Sequence, residues 1–303
     1  MSKVKPGHLE KLKMYKILDG KKTSELIMLK IKRELKKLAD NNMPILGILQ
    51  VGNLEESNIY IKHKLRAAKN LGIKTKLIKL DSSAKEKDII NSINELEKNT
   101  TGFIIQLPMQ TNNKINVENV LNKISNVKDI DGLNDFNQKA NYIINKNAYI
   151  PATDLGIILL LKEYNIDFNK KEIGVVGQSK IVGKPLSNYF EQLGNVVRRY
   201  DKYNSKTDMH LNDIVIVATG VRDCLQNIKL KNNVILIDVG IHRLENNKIT
   251  GDVNIENIKT PISYCTPVPG GVGPMTIVGL LLNLIKSYDI QNNTTMYFDI
   301  INK

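Results

Sequence analysis

The sequence predicts two consecutive α/β domains, each built on a mostly parallel sheet. Three observations carry this. Short apolar runs alternate with amphipathic segments of helical period through both halves of the chain. Glycine and proline bound those segments at the spacing of strand–helix units. The 303 residues suffice for two ordinary domains.

The elements follow in order. Residues 21–40 set Leu26, Leu29, Ile31 and Leu38 among Lys and Glu, which suits an amphipathic helix. Residues 44–51 (PILGILQV) form a short apolar run that reads as a buried strand. A helix is expected over 57–71, with Ser57 as N-cap and Gly72 as its stop. Residues 74–80 alternate as a strand, 85–99 read as a helix, and 102–107 (GFIIQL) form a strand ended by Pro108. An Asn-rich polar stretch, 134–148, separates the halves. Pro151-Ala152-Thr153-Asp154 then opens an apolar helix, with Thr153 as its cap and Asp154 where the helix dipole favours negative charge. Further strands are expected at 172–176, 195–200, 213–218 and 234–239. The two domains join near residue 150.

Composition excludes several classes. Apolar residues are 42% and charged residues 25%, which rules out wholesale disorder. No run approaches the roughly 18 apolar residues of a membrane span, and the basic N-terminus lacks the apolar core of a secretory signal. Two cysteines, Cys224 and Cys265, make neither a disulfide framework nor a metal site, and a structural role suits both. His8, His63, His210 and His242 are dispersed without triad or metal spacing, and surface positions suit each. A cytoplasmic protein without a metal is the expectation. The net charge of +13 would attract anions, but the basic residues are scattered, so nucleic acid is an unlikely partner.

Two regions carry chemistry. In GVVGQSKIVGKPLSNYF, Gly177, Ser179 and Gly183 occupy a strand-to-helix turn, with Pro185 in the first helical turn. Such a turn lets backbone N–H groups approach a pyrophosphate. The spacing G-x-S-x-x-x-G is not the common G-x-G-x-x-G, and a plain structural turn is the alternative. Asp201 follows Gly177 by 24 residues, about where a Rossmann fold holds its ribose-binding acid; a solvated charge beside Lys202 is the alternative. In the first half, Tyr60 and Lys64 share a helix face with Ala67 and Leu71. Such a lysine ordinarily snorkels to water, whereas burial would lower its pKa and let it exchange protons near neutrality. Gln106 interrupts an apolar strand at its C-terminal end, where ligands gather, or bonds local backbone. Asp131 precedes Gly132, which also fits a turn. The segment 266–276 (TPVPGGVGPMT) has three glycines and three prolines and reads as a rigid open loop before an apolar helix.

Taken together, Tyr60-x-x-x-Lys64, GFIIQLP, KDIDG, VVGQSKIVGKP, IDVGI, GDV and TPVPGGVGPMT resemble the methylenetetrahydrofolate dehydrogenase/methenyltetrahydrofolate cyclohydrolase family, in family order over residues 16 to about 288. The resemblance implies two α/β domains flanking a cleft. Residues 1–149 would be a folate-binding domain, joined by a C-terminal helix at about 283–303, and 150–282 a Rossmann-type dinucleotide-binding domain. It implies oxidation of 5,10-methylenetetrahydrofolate with NAD or NADP, hydrolysis of the methenyl product to 10-formyltetrahydrofolate, and a homodimer through the Rossmann domains.

By the family pattern Lys64 serves hydration, Gln106 holds it, Tyr60 stacks on the folate and Asp131 bonds the pterin. Ile105, Leu107 and the loop Pro269, Gly270, Gly271, Val272 and Gly273 border the substrate. The dinucleotide would meet Gly177, Gln178, Ser179, Ile181, Val182, Gly183, Asp201, Thr219, Gly220, Gly240, Ile241 and Thr276. Three departures stand out. Gln178 replaces an Arg that pairs with the 2′-phosphate of NADP, Pro151-Ala152-Thr153-Asp154 replaces PCTP, and 198–207 (RRYDKYNSKT) replaces a shorter Cys-His-Ser/Thr segment. Gln178 and Asp201 favour NAD, although the family commonly uses NADP. A monofunctional NAD-dependent dehydrogenase, and a non-catalytic nucleotide- or nucleic-acid-binding protein, remain the alternatives.

Overall fold

The computed structural model describes residues 15–302. In chain order the elements are β1 (Lys16–Ile17), α1 (Gly20–Leu35), β2 (Ile45–Val51), α2 (Glu55–Asn70), β3 (Lys74–Leu80), α3 (Glu86–Asn99), β4 (Gly102–Ile105), α4 (Val117–Leu121), α5 (Asp135–Gln138) and α6 (Ala152–Glu163). There follow β5 (Glu172–Val176), α7 (Gly183–Gln192), β6 (Val196–Tyr200), β7 (Ile214–Val217), β8 (Val234–Asp238), β9 (His242–Arg243), β10 (Ile249–Thr250), β11 (Ile262–Cys265), α8 (Val272–Asn292) and α9 (Met296–Asn302). Two compact units divide them. One holds Lys22–Gly156 and the stretch from Met275 onward; the other holds Ile157–Pro274 and the stretch up to Lys21. No helix among the described residues is long and apolar enough to cross a membrane.

In the 22–156 unit, three parallel strands run in the order β3-β2-β4. Strand β2 is buried along nearly its whole length, as a central parallel strand covered on both faces must be. Leu49, Val51 and Phe103 pack with Ile89, Ile93 and Leu96 of α3. Helix α2 ends as its Gly72 predicts: φ is +76°, the Gly72 N–H donates to Lys69 O and Ile73 N–H to Ala68 O. Helix α8 closes this unit with polar side chains. Asn283 Nδ2 donates to the carbonyls of Ile130 and Ile150, Ser287 Oγ lies 2.8 and 2.7 Å from those of Thr101 and Val127, and Lys286 Nζ donates to that of Ala148. Desolvation lowers the Lys286 pKa to about 8, while Tyr149 offers its ring face 5.1 Å away.

In the 157–274 unit, six parallel strands run in the order β1-β11-β8-β7-β5-β6. Reversal of strand order on the two sides of β5 is the arrangement that opens a ligand crevice at the sheet's C-terminal edge. Val176, Val215, Val217, Leu236 and Cys265 form the core beneath it.

Several expectations are corrected. Helix α1 buries Thr23, Ile27, Ile31 and Leu35, while Leu26 and Leu29 are 42% and 65% exposed. Ser57 does not cap α2: Leu54 occupies the cap, Ser57 is buried within the first turn, and Glu55 and Glu56 supply the favourable charge. Thr153 lies inside α6, 3.3 Å from Thr276 across their hydroxyls. The Asn-rich stretch is ordered around buried Asn134 and Asn137; Asn134 caps α5, and Asn137 joins Asp129 to the Tyr149 N–H. Helix α8 starts at Val272 within the Gly/Pro segment, because Pro274 sits among first-turn positions whose N–H groups need no intrahelical partner.

Candidate functional site

Tyr60, Lys64, Ile105, Gln106, Leu107 and Asp131 lie in the 22–156 unit, whereas the Pro269–Gly273 loop belongs to the 157–274 unit. Tyr60 and Lys64 project from α2, Gln106 follows β4, and Asp131 lies in the turn before Gly132, whose φ is +74°. The Lys64 Nζ donates to Gln106 Oε1 at 2.9 Å. Gln106 is fixed in turn: its Nε2 donates to the carbonyl of Leu107 and its backbone N–H to that of Leu49. Ile105 is the buried end of β4. Desolvation lowers the Lys64 pKa and Asp131 opposes this; desolvation raises that of Asp131 and Lys64 opposes it. Two groups thus face each other with proton affinities moved toward neutrality, as proton-transfer chemistry requires. Asp129 stands behind them, pushed up to about 6 by burial, with its Oδ2 accepting from Asn134 N–H and Asn137 Nδ2.

Asp154 departs most from its sequence reading. It is fully buried, neither carboxylate oxygen has a hydrogen-bond partner among the described residues, and burial with nearby Asp131 raises its pKa well above 3.8. Burial favours its protonated form, whereas support from the helix dipole would need the charged one. Sequence reasoning missed it because an acid in a first helical turn ordinarily faces water.

The dinucleotide-side candidates, Thr276 excepted, lie in the 157–274 unit. Gly177 follows β5 with φ +94°, and a Cβ on Gly183 would stand 1.7 Å from Gly177 O. The turn therefore packs tightly against the start of α7 with no room for a side chain, and the backbone cradle so formed at a helix N-terminus could hold a pyrophosphate. Ser179 Oγ accepts from the Val182 N–H, which sets the turn, and Ile181 is exposed at its tip. Gly183→Ala is expected to abolish detectable dinucleotide binding while leaving the 22–156 unit folded; calorimetry and circular dichroism check both, and retained affinity would refute the cradle.

Around the adenosine end, Gln178 Nε2 turns inward to Val175 O at 3.0 Å. Asp201 closes β6, with its Oδ1 accepting the N–H groups of Tyr203 and Asn204. The neighbouring arginines are engaged. Arg198 pairs with Glu172 at 2.7 Å, and Arg199 holds Glu191 at 2.7 Å and Asn188 at 2.8 Å. The Pro269-to-Gly273 loop is anchored by the Lys21 N–H, which donates to Gly270 O at 2.8 Å, and Gly270 needs its φ of +107°.

The residues missed here are Asp238, Asp252 and His242. Asp252 Oδ2 accepts from Thr219 N–H, Thr219 Oγ1 and Gly220 N–H, and Oδ1 lies 2.7 Å from His242 Nε2. His242 is therefore no surface histidine. The motifs IDVGI and GDV were the available signal, since each carries one of the two buried acids. Cys224 and Cys265 are inert by comparison, their thiols pushed up to about 11 and about 12 by burial.

Comparison with known proteins accords with this arrangement. Residues 18–131 match the tetrahydrofolate dehydrogenase/cyclohydrolase catalytic domain, and residues 151–292 match the NAD(P)-binding domain of the same name. A bifunctional FolD protein of Metamycoplasma arthritidis (strain 158L3-1) is 46% identical over 277 residues, covering 91% of this chain and 94% of that protein. One of Rickettsia canadensis (strain McKiel) is 38% identical, covering 94% and 100%. The crystal structure of the bifunctional FolD methylenetetrahydrofolate dehydrogenase/cyclohydrolase from Campylobacter jejuni superposes with a TM-score of 0.86 at 34% identity, covering 91% of this chain and 99% of that one. With both domains matched in order and across most of its length, the chain belongs to the tetrahydrofolate dehydrogenase/cyclohydrolase family.

Proposed function

We propose that this protein oxidises 5,10-methylenetetrahydrofolate to the 5,10-methenyl cation with a nicotinamide dinucleotide, then hydrolyses the cation to 10-formyltetrahydrofolate, with Lys64 as the proton-transfer group. The observation that carries the assignment of Lys64 is its 2.9 Å bond to Gln106 in a desolvated setting beside Asp131. The bound dinucleotide supplies the hydride acceptor. Neutral Lys64 takes a proton from water as it adds to the methenyl carbon. The C–N5 bond then breaks as the new hydroxyl becomes the formyl carbonyl, N5 takes the proton held by Lys64, and the hydroxyl proton leaves to solvent. Gln106 keeps the amine oriented, Asp131 accepts from pterin N–H groups, and the half-exposed Tyr60 stacks on the ring. Ile105 and Leu107 border the folate. Turnover of methylenetetrahydrofolate, followed separately as methenyl formation and methenyl decay, tests this; absence of turnover with both NAD and NADP would sink it.

For the cofactor the reading favours NAD. The NADP 2′-phosphate needs a free cation, whereas Gln178 bonds Val175 O and both arginines already hold acids. The Asp201 carboxylate suits a ribose hydroxyl and repels a phosphate by roughly 4 kcal/mol at 4 Å and an effective dielectric near 20. Gln178→Arg with Asp201→Ser is expected to move the NADP/NAD ratio of kcat/KM at least about tenfold toward NADP, the equivalent of 1.4 kcal/mol. Wild-type preference for NADP would reverse the assignment. A homodimer through the 157–274 unit belongs to the same reading. It is supported by β6, an open sheet edge on which Val196 is 55% exposed, and sedimentation measures it.

A further inference from the structure

The sheet order gives the dinucleotide a direction. The phosphate turn follows β5, Asp201 follows β6 on one side, and Thr219–Gly220 and Gly240–Ile241 follow β7 and β8 on the other. With the adenosine end over β6, the nicotinamide half lies over the ends of β7 and β8. Under those two ends sits a carboxylate contributed by neither strand. Asp252 is fully buried and follows β10. Its Oδ2 gathers Thr219 N–H at 2.6 Å, Thr219 Oγ1 at 2.8 Å and Gly220 N–H at 2.9 Å, and its Oδ1 stands 2.7 Å from His242 Nε2. It also shapes Gly240, where a Cβ would fall 2.1 Å from Asp252 Oδ1.

The carboxylate is itself held from below. Asp238 Oδ1 accepts the N–H groups of Gly240 and Asp252, and Asp238 Oδ2 that of Val253. The Asp238 N–H donates to Thr266 Oγ1, in the strand-to-loop turn that leads to Pro269. One buried acid therefore joins the segment after β7 to the segment after β8, and a second joins both to the Gly/Pro loop. Charge-assisted bonds of this kind are the strong ones, and both oxygens of Asp252 are occupied by protein donors.

We propose that Asp252 is a positioning residue for the nicotinamide half of the dinucleotide site, acting through Thr219, Gly220 and His242. The inference rests on the assignment of those segments to the dinucleotide. Asp252→Asn keeps the volume but retains one acceptor oxygen, so either the 219–220 donors or His242 lose their partner. The expected result is a rise of about tenfold in KM for the dinucleotide, with the folate KM and kcat little changed. Thr219→Val, which removes one donor and leaves the fold intact, is expected to give a smaller rise of about threefold, rescued by Thr219→Ser. Calorimetric titration with NAD and with NADP, and melting temperatures of each variant, accompany the kinetics. An unchanged dinucleotide KM in both variants overturns the proposal, as does an equal rise in both substrates' KM values alongside lost thermal stability, the pattern of a purely structural acid. If wild-type protein bound neither NAD nor NADP, the underlying assignment would fail instead, and the variants would not be its cause.

Discussion

Lys64→Met is expected to lower methenyl hydrolysis by about 10²–10⁴-fold, the usual contribution of a positioned general acid–base group. Methionine keeps the apolar stem against α2 and deletes only the amine, so dinucleotide affinity and the melting temperature should hold. The pH profile supplies a second check. Burial lowers the Lys64 pKa, so the neutral amine is populated at lower pH than for an exposed lysine. Hydrolysis by wild-type protein should rise as pH increases through that lowered value and then level. The variant should lose that rise along with the rate. Stopped-flow loss of methenyl absorbance across pH 6 to 10 measures both, and near-normal hydrolysis by Lys64→Met would return the lysine to a solvated surface role.

The second large effect is on stability. Asp154→Asn should stabilise the protein near neutral pH by about 1.4 kcal/mol for each pH unit by which the folded pKa exceeds that of the unfolded chain. The direction follows from proton linkage. Below 3.8 the folded and unfolded chains both keep the Asp154 proton, and the acid carries no ionisation penalty. As pH rises past that value the unfolded chain releases the proton while the folded chain retains it, so stability is lost progressively until the raised folded pKa is passed. Asparagine cannot ionise, so the gain should be small at pH 4 and larger at pH 8. Chemical denaturation at the two pH values tests this; equal gains at both would show that ionisation of Asp154 is not the cause.

What could be read in advance follows physical lines. The central strands were legible because a parallel strand covered on both faces must be almost wholly apolar, as Ile45–Val51 is apart from Gln50. The buried face of α1 was not, because counting leucines selects Leu26 and Leu29 although the neighbouring layer accepts Thr23 and Ile27. Strands β1 and β11 carry too few residues for a periodic signal; β1 exists only because Lys16 and Ile17 meet Tyr264 and Cys265, far along the chain. At the site, Lys64 and Gln106 could be singled out individually, and their meeting across 42 positions needed the fold. Asp252 was marked only by its GDV motif, and its burial could not be read from the sequence. An acid after a short hairpin reads as solvated, and its burial depends on donors from two distant loops.

The bonds made by α8 bear on how the chain reaches its native state during synthesis. The carbonyls of Thr101, Ile130, Ala148 and Ile150 take donors from residues 283–287, and that of Val127, already bonded by the Tyr149 hydroxyl, takes a second contact there. A nascent chain that has emerged as far as residue 274 carries all three strands of the 22–156 sheet but lacks the donors of α8. Closure by such sequence-distant contacts is slow, because the loop must be ordered before any contact repays it. The 22–156 unit should thus stay protease-sensitive until residues 283–287 have emerged, and a chain truncated after residue 274 should be unable to finish folding it.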